Sequence, residues 1–400
     1  MERLDLLIYA HDGRGLGHVS RGVAIGLAVR RLFPHLRVLL VSGSPFTGEL
    51  TLGVSLDWLK LPSYATRVES GVSRGLAGPS GYSDPGLGTL RGRLLEDIVA
   101  RLRPRCVLVD HMPQGKHREL LPSLTAGQPG DALWVLGVRG IVGDVKGVWS
   151  ELAGRIFRDR FHAILWYGDA NVLGTEPLER LADHFGQAPV ETGYVSRLEE
   201  LIMAGAVRPP RTHERRNVAA LPWAGEDTSG TMETLGGAIQ RLGGRLGKWD
   251  VFLSTEERRS VPSGPETDPF LTVRPVGSAF LPALAGSKFA LVYGGYNTVT
   301  DVLCARVPAM VLLRGMADRE QQDHLGLLGR VWDRLMPVDA SAFSAEALIA
   351  CLERWAGAER PEALPFAISG AEAAARRLCA MIGETPSART GNKPSGNEDS

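Results

Sequence analysis

Net charge is missing from this chain. Its 400 residues hold 45 Lys+Arg against 45 Asp+Glu, so no overall charge draws it to nucleic acid or to an anionic surface. Cysteine is scarce. The four present (Cys106, Cys304, Cys351, Cys379) stand far apart and never as CxxC, which argues against a zinc site and against a disulfide framework. No apolar run approaches the length of a membrane span. No charged segment followed by an apolar stretch opens the chain, so no secretion signal is read there. The expectation is a cytoplasmic protein, with peripheral docking on a membrane surface left open. Two phosphate-binding signatures are also missing. No Gly-Lys-Ser/Thr follows the first glycine loop, and His18 stands where a dinucleotide fingerprint needs its third glycine. Arginine outnumbers lysine. With abundant Gly, Ala and Leu, this reads as genome composition and not as a phosphate-binding adaptation.

What is present is alternation. "LDLLIYA" (4–10), "RVLLVSG" (37–43), "CVLVDH" (106–111), "LWVLGVR" (133–139) and "AILWYGD" (163–169) are short apolar runs ending near Gly, Asp or Ser. Amphipathic stretches lie between them, such as "TLRGRLLEDIVARLRP" (89–104). This is the pattern of a parallel sheet with helices on both faces. A polar segment, "RPPRTHERRN" (208–217), breaks the rhythm. A second series then starts, with a strand running into a loop over 218–227, strands expected at 249–255, 270–276, 289–297 and 308–315, and helices at 231–242 and 298–307. The expected organisation is α/β, with two Rossmann-like domains. Residues 1–200 form the first, 201–216 a linker and 217–383 the second, and 384–400 are a disordered polar tail. Paired α/β units of similar size commonly hold a ligand in the cleft between them.

"HDGRGLGHVSR" (11–21) lies between the first strand and the helix expected over 19–32. In open parallel sheets, ligands bind beyond the carboxyl ends of the strands. Gly13, Gly15 and Gly17 let backbone amides approach a ligand. His18 opens the helix, and two readings of it stand. One is a general base, since an unperturbed imidazole titrates near neutrality. The other is a histidine that only satisfies a tight turn. His11 reads better as a strand-end histidine than as a second lining residue. Asp110 ends another strand of the same sheet, so its carboxylate can reach His18 and orient it. The competing role for Asp110 is to cap a loop. His111, Lys116 and His117 line either an acceptor pocket or a solvated loop.

The stretch "LVYGGYNTVTDVLCARVPAMVLLRGMADREQQDHLGLL" is the most specific in the chain. A strand runs into Gly294 and Gly295, and Asn297 and Thr298 are expected to cap the following helix. Helix-start amides and the helix dipole suit a diphosphate. Asp301, one turn on, suits ribose hydroxyls. Arg314, Glu320 and Gln321 follow the next strand, and an acid–amide pair there suits hexose hydroxyls.

GGYNTVTDVL, PAMVLLRG and DREQQDH resemble the donor half of glycosyltransferases of the GT-B fold, family 28. That family includes the peptidoglycan N-acetylglucosaminyltransferase and its bacterial relatives. The loop GRGLGH and the segment "ETGYVSR" (191–197) resemble the first half of the same family, and the likeness spans about residues 4–380. The resemblance implies two parallel sheets facing a central cleft. It implies a nucleotide-diphosphate sugar held by Gly294, Gly295, Asn297, Thr298, Asp301, Glu320 and Gln321. Phe280 and Leu281 would stand where the family's backbone grips the base. Asp301 replaces the family's usual glutamate, and Pro222–Trp223 interrupt an expected glycine turn. The acceptor is then a small molecule, a glycan or a lipid-linked sugar, and no cofactor or metal is implied. The function expected is inverting glycosyl transfer with His18 as base. "GLGHVSR" also resembles the GxGHxxR stretch of nucleotide-sugar hydrolases on this fold, so hydrolysis stands as the alternative. Non-catalytic nucleotide-sugar binding stands as a third.

Overall fold

The computed structural model describes residues 2–11, 16–69, 72–76, 78–126, 132–208, 216–221, 228–254, 269–314 and 319–386. The polar tail from 387 onward lies outside them. So do Gly13 and Gly15, Pro222–Trp223 and most of the 208–217 stretch.

The first sheet has seven strands. In chain order these are β1 (Leu6–Ala10), β2 (Val38–Ser42), β3 (Trp58–Lys60), β4 (Cys106–Asp110), β5 (Leu133–Arg139), β6 (Ala163–Tyr167) and β7 (Val190–Glu191). Their spatial order is β3-β2-β1-β4-β5-β6-β7, and every pair is parallel. Strand β1 is buried along its whole length, as expected of an apolar run covered on both faces. The register sets Leu6 against Val38 on one side and Cys106 on the other. Chain order reverses between β1 and β4, which makes that edge the switch point of the sheet.

Helix α1 (Gly17–Leu32) follows β1. Helix α2 (Asp84–Leu102) starts five residues before the run at 89–104 expected from apolar spacing. The reason is local: Ser83 caps it by accepting from the Gly86 amide, and Pro85 sits in its first turn. An antiparallel pair, Ala65–Glu69 with Val72–Leu76, lies apart from both large sheets. Helix α3 (Arg197–Met203) runs across the boundary expected at residue 200.

The second sheet repeats the plan with six strands: β8 (Asn217–Ala220), β9 (Trp249–Leu253), β10 (Leu271–Pro275), β11 (Ala290–Tyr293), β12 (Ala309–Leu313) and β13 (Leu335–Asp339). Their order is β10-β9-β8-β11-β12-β13, again all parallel, with the switch between β8 and β11. Strand β11 stops at Tyr293, short of the end of the stretch 289–297 and where it was expected to run into Gly294–Gly295, and helix α4 (Tyr296–Ala305) begins after the two glycines. Helix α5 (Glu320–Leu328) follows β12.

The last helix, α6 (Gly370–Met381), comes after the second sheet in the chain but packs on α1 of the first half. Arg31 of α1 explains part of that docking. One guanidinium nitrogen sits 2.9 Å from Glu200 of α3 and 3.0 Å from Glu372 of α6. The Gly370 amide also donates to the Tyr194 carbonyl at 2.9 Å. A Cβ on Gly370 would lie 2.3 Å from the Gly193 carbonyl oxygen, so only glycine permits this approach.

Candidate active site

The carboxyl ends of β1 and β4 bring three charged or titratable side chains together. Helix α1 carries His18 and Arg21 three residues apart, hence on one face. That face meets Asp110, the last residue of β4. Asp110 Oδ2 lies 2.5 Å from His18 Nδ1. Arg21 donates Nε to Oδ1 at 3.0 Å and Nη2 to Oδ2 at 2.7 Å, a two-pronged hold. Asp110 and Arg21 are almost fully buried, while the His18 side chain keeps 22 % of its surface open.

The electrostatics settle the charges of this trio. Burial alone pushes the Asp110 pKa up, but the Arg21 charge and the bonds from His18 and Arg21 outweigh it and hold the carboxyl well below the usual range. Asp110 is therefore an anion and accepts at His18 Nδ1. That leaves the proton on Nδ1 and the lone pair on Nε2. Burial lowers the His18 pKa, Asp110 opposes it, and the charges of Arg21 and Arg139 lower it further. The imidazole is neutral near pH 7, with Nε2 free to take a proton. Arg21 Nη2 also comes within 3.0 Å of His18 Nδ1. Since both groups donate to one carboxylate, this is a shared acceptor and not a bond.

Two more imidazoles flank His18. The His11 ring centroid is 3.9 Å from that of His18, and the His111 centroid is 5.5 Å away. Burial holds both well below the ordinary histidine pKa, with His18 as the next contributor. His11 follows the last residue of β1 and packs on the His18 ring. His111 is held at φ +74° and by Trp149, whose indole N–H donates to its carbonyl at 2.7 Å. His117 approaches Asp84 at 3.8 Å, and the Lys116 ammonium lies 4.6 Å over the Tyr64 ring.

Across the cleft, Gly295 is the residue before α4, and no side chain caps that helix. The expectation that Asn297 and Thr298 cap it is corrected: both lie inside the first turn, because the helix already starts at Tyr296. Asn297 instead faces the first half, where its Oδ1 accepts from Arg21 Nη1 at 3.4 Å. The approach is close enough that a Cβ on Gly17 would fall 2.4 Å from Asn297 Nδ2.

A cavity of about 190 Å³ lies at this junction. Gly294, Gly295, Tyr296, Glu320, Gln321 and His324 line it from the second half, and Arg139 and Ile141 from the first. Glu320 opens α5 and reaches over the cleft. Its Oε2 accepts from Arg139 Nη2 at 2.5 Å and its Oε1 from the Gly143 amide at 2.9 Å. An aromatic stack backs the cavity. The Tyr296 and His324 rings lie 5.3 Å apart at 20°, and Tyr194 contacts His324 Nε2 through its hydroxyl at 3.1 Å. Burial, aided by the Arg139 charge, pushes the His324 pKa down to about 3. The Tyr296 hydroxyl donates to the Tyr167 carbonyl and accepts from the Gly140 amide at 3.3 Å.

Other expected donor residues are placed elsewhere. Asp301 is buried, and its Oδ1 accepts from Ser196 Oγ at 2.9 Å and from the Leu198 amide at 3.4 Å. This carboxylate anchors the start of α3. Phe280 packs edge-on against Phe252 at 5.5 Å and Leu281 is core, and neither lines the cavity. Arg314 sits 4.0 Å over the Tyr293 ring. Sequence reasoning missed Arg21, Arg139, Tyr296 and His324. Two of these had a signal. Arg21 stands at helical spacing from His18, and Arg139 ends a strand just as Asp110 does.

No family model and no curated protein matches the chain. Solved structures do resemble it. The UDP-GlcNAc 2-epimerase of Methanocaldococcus jannaschii superposes with a TM-score of 0.62 at 10 % identity, over 95 % of this chain and 99 % of that one. The glycosyltransferase SnogD of Streptomyces nogalater gives 0.53 at 15 % identity, over 96 % of each chain. MurG of Acinetobacter baumannii gives 0.51 at 13 % identity, over 95 % and 98 %. At such identities the likeness establishes the fold, which is the two-sheet GT-B arrangement.

Proposed function

We propose that this protein is an inverting glycosyltransferase that moves a sugar from a nucleotide-diphosphate donor to an acceptor hydroxyl. The observation that carries the reading is the His18–Asp110–Arg21 trio, facing the cleft opposite the uncapped start of α4. The neighbouring proteins named above for UDP-GlcNAc epimerisation and glycosyl transfer lend it support through their shared fold. Residues up to about 200 serve the acceptor, and residues 217–383 hold the donor.

The chemistry follows from the charges. The acceptor oxygen attacks the anomeric carbon while His18 Nε2 takes its proton. Asp110 stabilises the imidazolium that results. The bond from the anomeric carbon to the phosphate oxygen breaks, and its electron pair leaves with the diphosphate. The Gly294–Gly295 turn and the first amides of α4, around Asn297 and Thr298, receive that charge. Glu320 and Gln321 contact the sugar hydroxyls. Arg21 keeps Asp110 ionised and in place. No step calls for a metal or an organic cofactor.

A second reading uses the same base with water in place of the acceptor. It is favoured by the convergence of the His and Arg of the GxGHxxR-like stretch, His18 and Arg21, on one carboxylate. One experiment separates the candidates. A thermal-shift screen of nucleoside diphosphates finds the base, since a ligand of the folded state raises apparent stability. The matching nucleotide sugars are then incubated in D2O without acceptor. Transfer predicts an intact donor until acceptors are added. Free sugar at stoichiometric yield indicates hydrolysis. Deuterium at sugar C2 indicates epimerisation, and binding with no chemistry under any acceptor indicates a non-catalytic binder.

A further inference from the structure

Arg139 has no role in the scheme above, yet it is the cation that the first sheet sends into the cavity. It ends β5, lines the cavity and keeps 31 % of its side-chain surface open. Its hydrogen-bonded partner among the described residues is Glu320, on the opposite half. Among the described residues its Nε is buried with no hydrogen-bond partner, although buried N–H groups are normally paired. Arg21 offers the contrast. Its Nε and Nη2 are both taken by Asp110, within its own half of the molecule.

We infer that Arg139 reads the second phosphate of the donor, and that Glu320 and the diphosphate exchange for it. The inference rests on the donor-site reading above. A guanidinium offers a planar fork that matches two phosphate oxygens, and Arg139 engages Glu320 through one nitrogen only. A diphosphate at the start of α4 brings more negative charge than one carboxylate and takes the Nε edge as well. Glu320 does not swing away when it loses Arg139, because the Gly143 amide holds its other oxygen. It stays at the cavity wall with a free oxygen for sugar hydroxyls. The exchange thus couples phosphate recognition to sugar recognition, through residues on opposite halves. It also acts on the base. The Arg139 charge lowers the His18 pKa, so a phosphate that neutralises it leaves His18 more basic when the donor is in place.

The test is calorimetric titration of wild type, R139Q, R139K and E320Q. The probes are the nucleoside diphosphate selected by the thermal-shift screen and its monophosphate. Wild type should prefer the diphosphate roughly tenfold or more, as a charge-assisted contact to a further phosphate predicts. R139Q should lose most of that preference while its monophosphate affinity stays within about twofold, and R139K should keep part of it through its point charge. E320Q should bind the diphosphate several-fold tighter, because the competing anion is gone. A wild-type preference retained in R139Q overturns the inference. So does weaker diphosphate binding by E320Q, a variant that does not depend on Arg139 being removable. Failure of wild type to bind any nucleoside diphosphate overturns the donor-site reading and this inference together. Normal binding with an unchanged preference in R139Q overturns the inference alone.

Discussion

The corner at Asp110 and the corner at Gly294 occupy the same place in two copies of one topology. Each follows the first strand beyond the switch, β4 in one sheet and β11 in the other. Their chemistry is opposite. The first corner is built from side chains: a buried carboxylate gripped by Arg21 and His18. The second is built from backbone: two glycines, an uncapped helix start and a cavity beside it. A carboxylate at the second corner would repel a diphosphate, and glycines at the first would leave His18 with nothing to orient it. On the proposed function, one fold thus yields a charge-fixed site and a charge-accepting site by changing the residue at a strand end.

The comparison breaks most visibly at His18. H18A should lose turnover by roughly two to four orders of magnitude, the usual worth of a general base, with donor affinity nearly unchanged. D110N should retain the fold and lose much of the rate. The double variant should be little worse than H18A, since groups acting as one unit are non-additive. Steady-state kinetics with donor titration decides this, and multiplicative losses would separate the pair. Next comes Arg21. R21M leaves Asp110 buried without its cation and should cost about 3–5 kcal/mol in denaturant unfolding. Adding D110N to R21M should recover much of that loss, and a purely additive result would show that the two do not compensate.

A smaller effect sharpens the contrast from the second corner. The folded-state pKa of His324 is lowered, so the unfolded chain binds a proton that the native protein refuses as pH falls below about 6.5. Native stability is therefore full above that value and declines below it, until His324 itself titrates near pH 3. Between pH 8 and 5.5, wild type should lose about 1.4 kcal/mol more than H324Q, from linkage with an unfolded pKa near 6.5. Equal slopes in urea unfolding at the two pH values would remove this group. The least severe change is G17A. Its Cβ meets the end of the Asn297 side chain, which can give way at the expense of its contact with Arg21. Turnover should fall by about three- to tenfold through small misplacement across the cleft, with the melting temperature nearly kept. Asn297→Ala should relieve most of the added defect.

Much of the fold was legible because its signals are local. Apolar runs ending near Gly, Asp or Ser marked the starts of ten of the thirteen sheet strands within two residues, while β3, β7 and β13, which are short or partly exposed, carried no such run. The rule that strand ends carry ligands led to His18 and Asp110, and the geometry joins them. The same rule applied to "VLGVR" would have found Arg139. The capping roles of Asn297 and Thr298 were misread because the helix starts two residues earlier than expected, which places both inside its first turn.

The sequence by itself determined two α/β units, the strand ends at Asp110 and Tyr293, and the two corners where the proposed chemistry gathers. These depend on periodicity and turn propensity, which act over a few residues. Only the tertiary structure decided which groups meet across long separations. Arg139 pairs with Glu320, 181 positions away, and α6, which follows the second sheet in the chain, packs back on α1 of the first half. Asp301 serves α3, 105 positions from Ser196. Such pairings follow from strand order and helix packing, where a small shift of register exchanges one partner for another, and no local pattern encodes them.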